Sequence, residues 1–512
     1  MKKGEIYLGK VLKVGFPNRG IAEIYDEDSA MPLFVRVKDV LPGQTVRVRI
    51  TKKRAGRPEG SLVEVTERAE YECESRCSVF PDCGGCAYQT VPYEKQLEIK
   101  SGMIRELLGS AIGEERFDRI YKGIIPSPRR LEYRNKMEFT FGNQVKDGPL
   151  TLGMHRRHGF HDILSAGGCL LVDEDVRLIV SFTESFFREK NIPFYHRMNH
   201  TGFLRHLLVR KGAGTGEILL DLITTSSFEY EELIDEWAAG VRSLMLKGKL
   251  AGILHTKNDS QADAVVDQGT EIIFGRNYFY EQILGLSFRI TPFSFFQTNT
   301  PGAEKLYETA MSMISDLENK TVYDLYCGTG TITSVIAKRA GKAIGVEIVP
   351  EAVEAAIENA EENNIKNAEF ICGDVLKALD DMPCPPDMIV LDPPRDGVNP
   401  RAMKKILSYG VNEMLYISCK PTSLARDLPV MIDNGYEPSE IRCIDMFPAT
   451  AGVETVVLLT RKLSNAKSIV VEIDTDTLKA EKKPPMATYA NKNGIRDVNL
   501  IYANSSLRIP NE

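Results

Sequence analysis

Residues 321–330 read Thr321-Val-Tyr-Asp324-Leu-Tyr326-Cys327-Gly328-Thr329-Gly330, and they decide the fold of the second half of the chain. An apolar run ends in an acid, passes through a glycine turn and enters the helical pattern Thr331–Ala340. Such a turn between strand and helix brings backbone N–H groups up to a nucleotide-like ligand. The spacing is D-x3-G-x-G, without the third glycine of a dinucleotide fingerprint. That favours S-adenosylmethionine, which has no pyrophosphate to cradle, over a nicotinamide dinucleotide.

The runs that follow extend the pattern. Ala343-Ile-Gly345-Val-Glu347 ends 17 residues after Gly330 in an acid that can accept hydrogen bonds from both ribose hydroxyls. Cys372-Gly373-Asp374 ends a third run, where Asp374 can bond an adenine amino group. A fourth, Met388–Leu391, delivers Asp392-Pro393-Pro394-Arg395, and a fifth, Met414–Ser418, delivers Cys419-Lys420-Pro421. Strands alternating with helices predict a mostly parallel sheet covered on both faces. The expected fold is therefore α/β: a class I, Rossmann-like S-adenosylmethionine-dependent methyltransferase domain over residues 291–462.

Cys419 is the candidate nucleophile, because a cation beside a thiol favours thiolate. The plain alternative is a reduced core cysteine, which is how Cys327, Cys372, Cys384 and Cys443 are read. Glu454 heads the apolar run Val453–Leu459, a setting that can raise a carboxyl pKa and suit it to act as a base. Its alternative is an ordinary strand-end acid. A nucleophile, a base and a methyl donor suffice for methylation of uracil C5. Thiolate addition to C6 makes C5 nucleophilic, C5 takes the methyl group, and a base then removes the C5 proton so that the enzyme is released.

Toward the amino terminus, residues 1–68 hold five runs of period-two alternation separated by Pro/Gly turns, a pattern for a small OB-like barrel. Lys52, Lys53, Arg54 and Arg57 are expected in a turn, able to reach phosphates or simply solvated. Residues 69–290 should hold a cysteine loop and a strand-rich central domain, with a helix at 93–109 that can pack on the catalytic domain. The cysteine loop reads Cys77-x5-Cys83-Gly-Gly-Cys86, and the next cysteine is Cys169. Four thiols with one distant member suit an iron–sulfur cluster as well as zinc. Cys73 is set aside.

Across 512 residues, 64 Lys and Arg against 71 Asp and Glu give a net charge of −7, which taken as a mean argues against a nucleic-acid partner. By segment the picture changes. Residues 1–68 and 121–161 each carry +5 and the remainder −17, so RNA contact is expected to be local and salt-sensitive. The 43% hydrophobic and 26% charged content excludes wholesale disorder. With no long apolar run and no signal-like start, the expectation is a cytoplasmic monomer without membrane contact.

Taken with the order of Phe295-Phe296-Gln297-Thr298-Asn299, DLYCGTG, LDPPR, YISCKPTSLARDL and VETVVLL, these features resemble RNA (uracil-5-)methyltransferases over residues 1–462. The barrel resembles a TRAM domain, and C-x5-C-G-G-C-x2-Q resembles the signature of the RumA/RlmD branch. The resemblance implies a 4Fe–4S cluster on Cys77, Cys83, Cys86 and Cys169. It implies Gln297, Tyr326, Glu347 and Asp392 as cofactor-site residues, Cys419 as nucleophile and Glu454 as base. It also implies large-subunit (23S) ribosomal RNA as substrate, since sister transfer-RNA enzymes typically lack the barrel and the cysteines. The other readings are a transfer-RNA enzyme and a non-catalytic RNA-binding protein. One departure stands out: the family usually has His before the Val-Glu pair, and this chain has Gly452. Residues 463–512 match no motif and read as a linker and appendage.

Overall fold

The structure, a computed structural model, describes residues 2–24, 31–54, 57–159, 162–226, 230–262, 265–382, 384–462, 469–471 and 507–509. The expected appendage at 463–512 lies outside the described residues, except for two short strands, Ile469–Val471 and Leu507–Ile509, which pair with each other.

Strands Ile6–Gly15, Arg19–Ile24, Leu33–Lys38, Thr45–Arg54 and Arg57–Glu67 close into a barrel. Alternation sends Val11, Ala22, Val35, Val37, Val46 and Val48 inward, where they form its core. Lys52 to Arg54 are not in a turn as expected: they end one strand, and Arg57 opens the next in register with Arg54. Lysine and arginine do not stop a solvated strand, so the pairing continues to Arg54 and Arg57.

The central segment is a seven-stranded sheet with Leu204–Lys211 paired to Lys136–Asn143 and Glu217–Thr224 near its middle. Helices Glu174–Glu189 and Glu231–Ser243 pack on it around Phe139, Phe187 and Trp237. The second helix interrupts the region read as strand-rich.

The catalytic sheet has eight strands. Its spatial order is Ala368–Cys372, Lys342–Glu347, Thr321–Leu325, Met388–Leu391, Glu413–Ser418, Glu454–Arg461, Tyr436–Ile444 and Tyr121–Ile125. The first five run parallel, so their carboxyl ends share one edge. Glu454–Arg461 runs antiparallel to both neighbours, so it is its first residue that reaches that edge. The last strand comes from far upstream. It follows the helix Tyr93–Ile112, whose Ile104 and Leu108 share a core with Tyr323, Tyr416 and Leu428. The helix is thus longer than expected and is built onto the catalytic sheet. Its Lys100 forms a fully buried ion pair with Asp445, Nζ to Oδ1 2.5 Å. Burial pulls the Lys100 ammonium below its ordinary pKa and Asp445 opposes that pull. Loss of one partner of such a pair costs about 3–5 kcal/mol.

Candidate active site

Asp324, Glu347, Asp392, Cys419 and Glu454 all stand at the ends of strands that meet at one edge. Ser418 pairs with Thr455, so the next step along the register sets Cys419 beside Glu454. Cys419 is exposed as a residue, yet the surrounding protein desolvates its sulfur. That desolvation, reinforced by the Glu454 and Asp392 carboxylates, pushes the thiol up to about 11, with Arg395 opposing. The expected activation by Lys420 is not what the structure shows. The Lys420 ammonium is 3.8 Å from the Asp396 carboxylate, and the thiol stays protonated near neutrality.

Glu454 is buried, which raises its carboxyl to about 8, with Asp392 adding to the shift. Asp392 itself is raised to about 7 by burial and by Asp324. Asp324 is also raised to about 7 by burial; its Oδ2 accepts from Thr333 Oγ1 at 2.6 Å, while Oδ1 is buried without a partner. Three carboxyls titrating at 7 to 8, two of them bearing on the Cys419 thiol, make an acid–base site for neutral pH.

The cofactor-side residues surround the glycine turn. Gly328 and Gly330 have φ of 54° and 75°, and a Cβ on Gly330 would lie 2.7 Å from the Phe370 ring. Glu347 Oε2 accepts from Gly328 N–H at 3.1 Å, and Oε1 from the N–H groups of Ile348 and Val349 at 2.8 and 3.0 Å. A carboxylate has about four acceptor positions, so this tether fixes Glu347 and leaves capacity for a ribose. Tyr326, at φ 72°, is half-buried; burial and then Asp374 and Asp427 raise its hydroxyl to about 12. Asp374 is exposed at the rim, where its Oδ1 caps a short helix through Leu376 N–H at 3.1 Å. The Gln297 carbonyl accepts from Asn135 Nδ2 at 2.9 Å, and its side chain bonds Tyr307.

Tyr307 was not singled out from the sequence. It is buried on the helix Thr300–Met313, bonds Gln297, and lies within the fields of Asp392, Asp324 and Glu454. Phe295 opens the Phe-Phe-Gln-Thr-Asn motif. It is 68% exposed, and its carbonyl accepts from Thr329 Oγ1 of the glycine turn at 3.4 Å. The usual His position before the base is tight: a Cβ on Gly452 would lie 3.0 Å from the Phe447 ring.

The four cysteines expected to act together do come together. Cys77, Cys83, Cys86 and Cys169 line one cavity of about 40 Å³, with Val79, Leu164 and other apolar neighbours. Gly85 N–H and Gln89 Nε2 each point at a sulfur, of Cys83 and Cys86, at 3.4 Å. Burial raises the Cys83 and Cys169 thiols and pushes Cys86 up to about 12. Cys73 does not line this cavity; its thiol donates to the Thr90 carbonyl at 3.4 Å. Among the described residues, no three His, Cys, Asp or Glu side chains converge as ligands of a single ion.

A sequence model described as tRNA (Uracil-5-)-methyltransferase matches residues 229–462. A protein of Clostridium tetani described as an uncharacterized RNA methyltransferase is 47% identical over 462 residues, covering 90% of this chain and 99% of its own. One from Caldanaerobacter subterraneus is 44% identical, with 90% and 100% covered. The chain belongs to the RNA (uracil-5-)methyltransferase family. This methyltransferase also shares its fold with the crystal structure of Pyrococcus abyssi tRNA (uracil-54, C5)-methyltransferase in complex with S-adenosyl-L-homocysteine. That structure has a TM-score of 0.69 and 24% identity, covering 88% of this chain and 99% of its own. Among the methyltransferase's described residues, no helix is long and apolar enough to cross a membrane.

Proposed function

We propose that this enzyme transfers a methyl group from S-adenosylmethionine to C5 of a uridine in large-subunit ribosomal RNA, through a covalent bond between Cys419 and uracil C6. The carrying observation is the register that sets Cys419 beside Glu454 at the same edge as Asp392 and the glycine turn. The partnerless Asp324 Oδ1, the tethered Glu347 and the open turn support the donor's place there. Gln297, Tyr326, Glu347, Asp374 and Asp392 line its route.

In this mechanism the Cys419 thiol bonds C6 while its proton passes to Asp392, which with Glu454 bears on the sulfur. C5 then takes the methyl group and S-adenosylhomocysteine is left. Glu454, ionised, accepts the C5 proton, and the sulfur–C6 bond breaks. The uridine must leave its stack at a cost of a few kcal/mol. Phe295, exposed beside the turn, offers a face for the extruded base.

Residues 1–68 are read as a TRAM-type RNA-binding barrel, 69–290 as the cluster loop and central RNA-binding domain, and 291–462 as the catalytic domain. Between barrel and cysteine loop runs a cavity of about 930 Å³ whose lining mixes acids such as Asp39, Glu59 and Asp82 with cations, of which Arg19, Arg36 and Lys38 offer contacts to a phosphate backbone. The four cysteines would hold a 4Fe–4S cluster, which would tie two distant segments together and neutralise buried thiolates. The converging sulfurs, two of them with N–H groups aimed at them, support this reading.

Transfer RNA is the second reading. The Pyrococcus transfer-RNA enzyme covers most of this chain, so domain content does not separate the two substrates. The deciding experiment maps 5-methyluridine in both RNAs from cells lacking the protein. Loss from ribosomal RNA alone is expected, and loss from transfer RNA alone would replace the first reading with the second.

A further inference from the structure

Glu454 is reached through a loop, residues 445–453, that leaves the Tyr436–Ile444 strand and enters the Glu454–Arg461 strand. Ile444 and Glu454 are register partners, so the loop begins and ends at the base. Its first five residues are each tied to a segment distant in sequence. Asp445 N–H donates to the Ile125 carbonyl at 2.9 Å, and Asp445 Oδ1 accepts from Lys100 at 2.5 Å. The Met446 carbonyl accepts from Asn299 Nδ2 at 2.7 Å, and the Phe447 carbonyl from Lys100 Nζ at 3.0 Å. The Pro448 carbonyl accepts from the Tyr133 hydroxyl at 3.0 Å. Ala449 N–H donates to Gln96 Oε1 at 2.8 Å, and its carbonyl accepts from Ala87 and Tyr88 N–H at 2.8 and 2.9 Å. Those bonds hold Ala449 at φ 63°, a left-handed conformation that a residue with a Cβ keeps only when its surroundings enforce it.

We infer that Gln96, Lys100 and Tyr133 are positioning residues for Glu454. They touch neither RNA base nor donor; they hold the loop, and the loop fixes where the carboxylate meets the C5 proton. All three are buried. The inference deepens the covalent reading above and rests on it. Addition forms the sulfur–C6 bond as the thiol proton leaves to Asp392. Methyl transfer forms the C5–methyl bond and leaves S-adenosylhomocysteine. Resolution moves the C5 proton to Glu454 and breaks the sulfur–C6 bond, returning thiolate. Only resolution needs Glu454 placed against C5, so a loosened loop has its own signature: adducts that form and methylate but persist.

The test uses the full-length protein, transcribed ribosomal and transfer RNA, and methyl-tritiated S-adenosylmethionine, with the adduct read as an RNA-shifted band after denaturation. Lys100→Met combined with Asp445→Asn removes the buried pair as a unit, which folded proteins tolerate better than loss of one partner. Its methylated adduct should outlast that of the wild type by about 10- to 100-fold, the usual cost of a misplaced catalytic group. Tyr133→Phe deletes one hydroxyl and should give a smaller change of the same sign; it decides the matter if the double variant does not fold. Resolution at the wild-type rate overturns the inference, and so does a parallel fall in adduct formation and resolution. Glu454→Gln is run alongside. If it yields no adduct, the covalent reading fails; if it does and the loop variants do not, the positioning inference alone fails.

Discussion

The catalytic edge and the cysteine cavity both gather titratable side chains in apolar surroundings, yet they are built for opposite purposes. At the edge, three carboxyls near 7 to 8 and a thiol near 11 share a place where Cys419 is open to solvent. Spread values of this kind let protons pass between neighbours during a reaction. In the cavity, four like groups are all partly buried, those with a resolved shift are all raised, and N–H groups are aimed at two of the sulfurs. Diverse groups suit the reacting role proposed for the edge, and four like thiols suit the holding role proposed for the cavity.

The contrast can be broken at several points. The largest effect is expected from Cys419→Ala, which should lower methylation by about 10³-fold or more while donor binding survives; turnover near wild type in a tritium-transfer assay would remove the nucleophile. Glu454→Gln should slow turnover by about 10²- to 10⁴-fold and accumulate the RNA adduct, because proton removal alone is blocked. Cys86→Ser should leave the catalytic edge intact but strip iron, sulfide and brown colour from anaerobically purified protein and lower its Tm. A colourless, zinc-loaded wild type would end the cluster reading.

A subtler test is pH. Glu454 must be ionised to act as a base, so adduct resolution should climb as pH rises toward about 8. Asp392→Asn removes a charge that raises Glu454 and should move that limb to lower pH. Stability runs the other way. Asp324, Asp392 and Glu454 have folded pKa values above their unfolded ones, so their contribution is full below about pH 4 and is lost as pH rises through 7 to 8. Thermal unfolding from pH 5 to 9 reads this directly, and Glu454→Gln should flatten the decline. The smallest effect is expected from Tyr307→Phe, a loss of a few-fold in activity as Gln297 loses a partner.

Much of this site could be read from the chain, because its parts are local. A glycine turn after an acid, Cys419 at the end of an apolar run and Glu454 at the head of another are each visible within ten residues. Four cysteines spaced for one centre were visible too, and they line one cavity. What escaped depends on distance in sequence. Lys100 reads as one more cation on an amphipathic helix, and only folding puts it beside Asp445. Tyr307 reads as a helix-core aromatic, since nothing nearby announces that three carboxyls will face it. Lys420 shows the same limit: it adjoins Cys419 in the chain, while its ammonium turns toward Asp396.

The placing of the Glu454–Arg461 strand between Glu413–Ser418 and Tyr436–Ile444 has a consequence for synthesis. Both flanking strands leave the ribosome first, and the barrel, cysteine loop and central sheet earlier still. The donor-side edge can assemble on the nascent chain, but the sheet keeps a gap where its sixth strand belongs until almost the last described residue of this region has emerged. An unfinished chain therefore carries Cys419 at this edge without Glu454 beside it. The late strand completes the sheet and the placing of Glu454 beside Cys419 in one event.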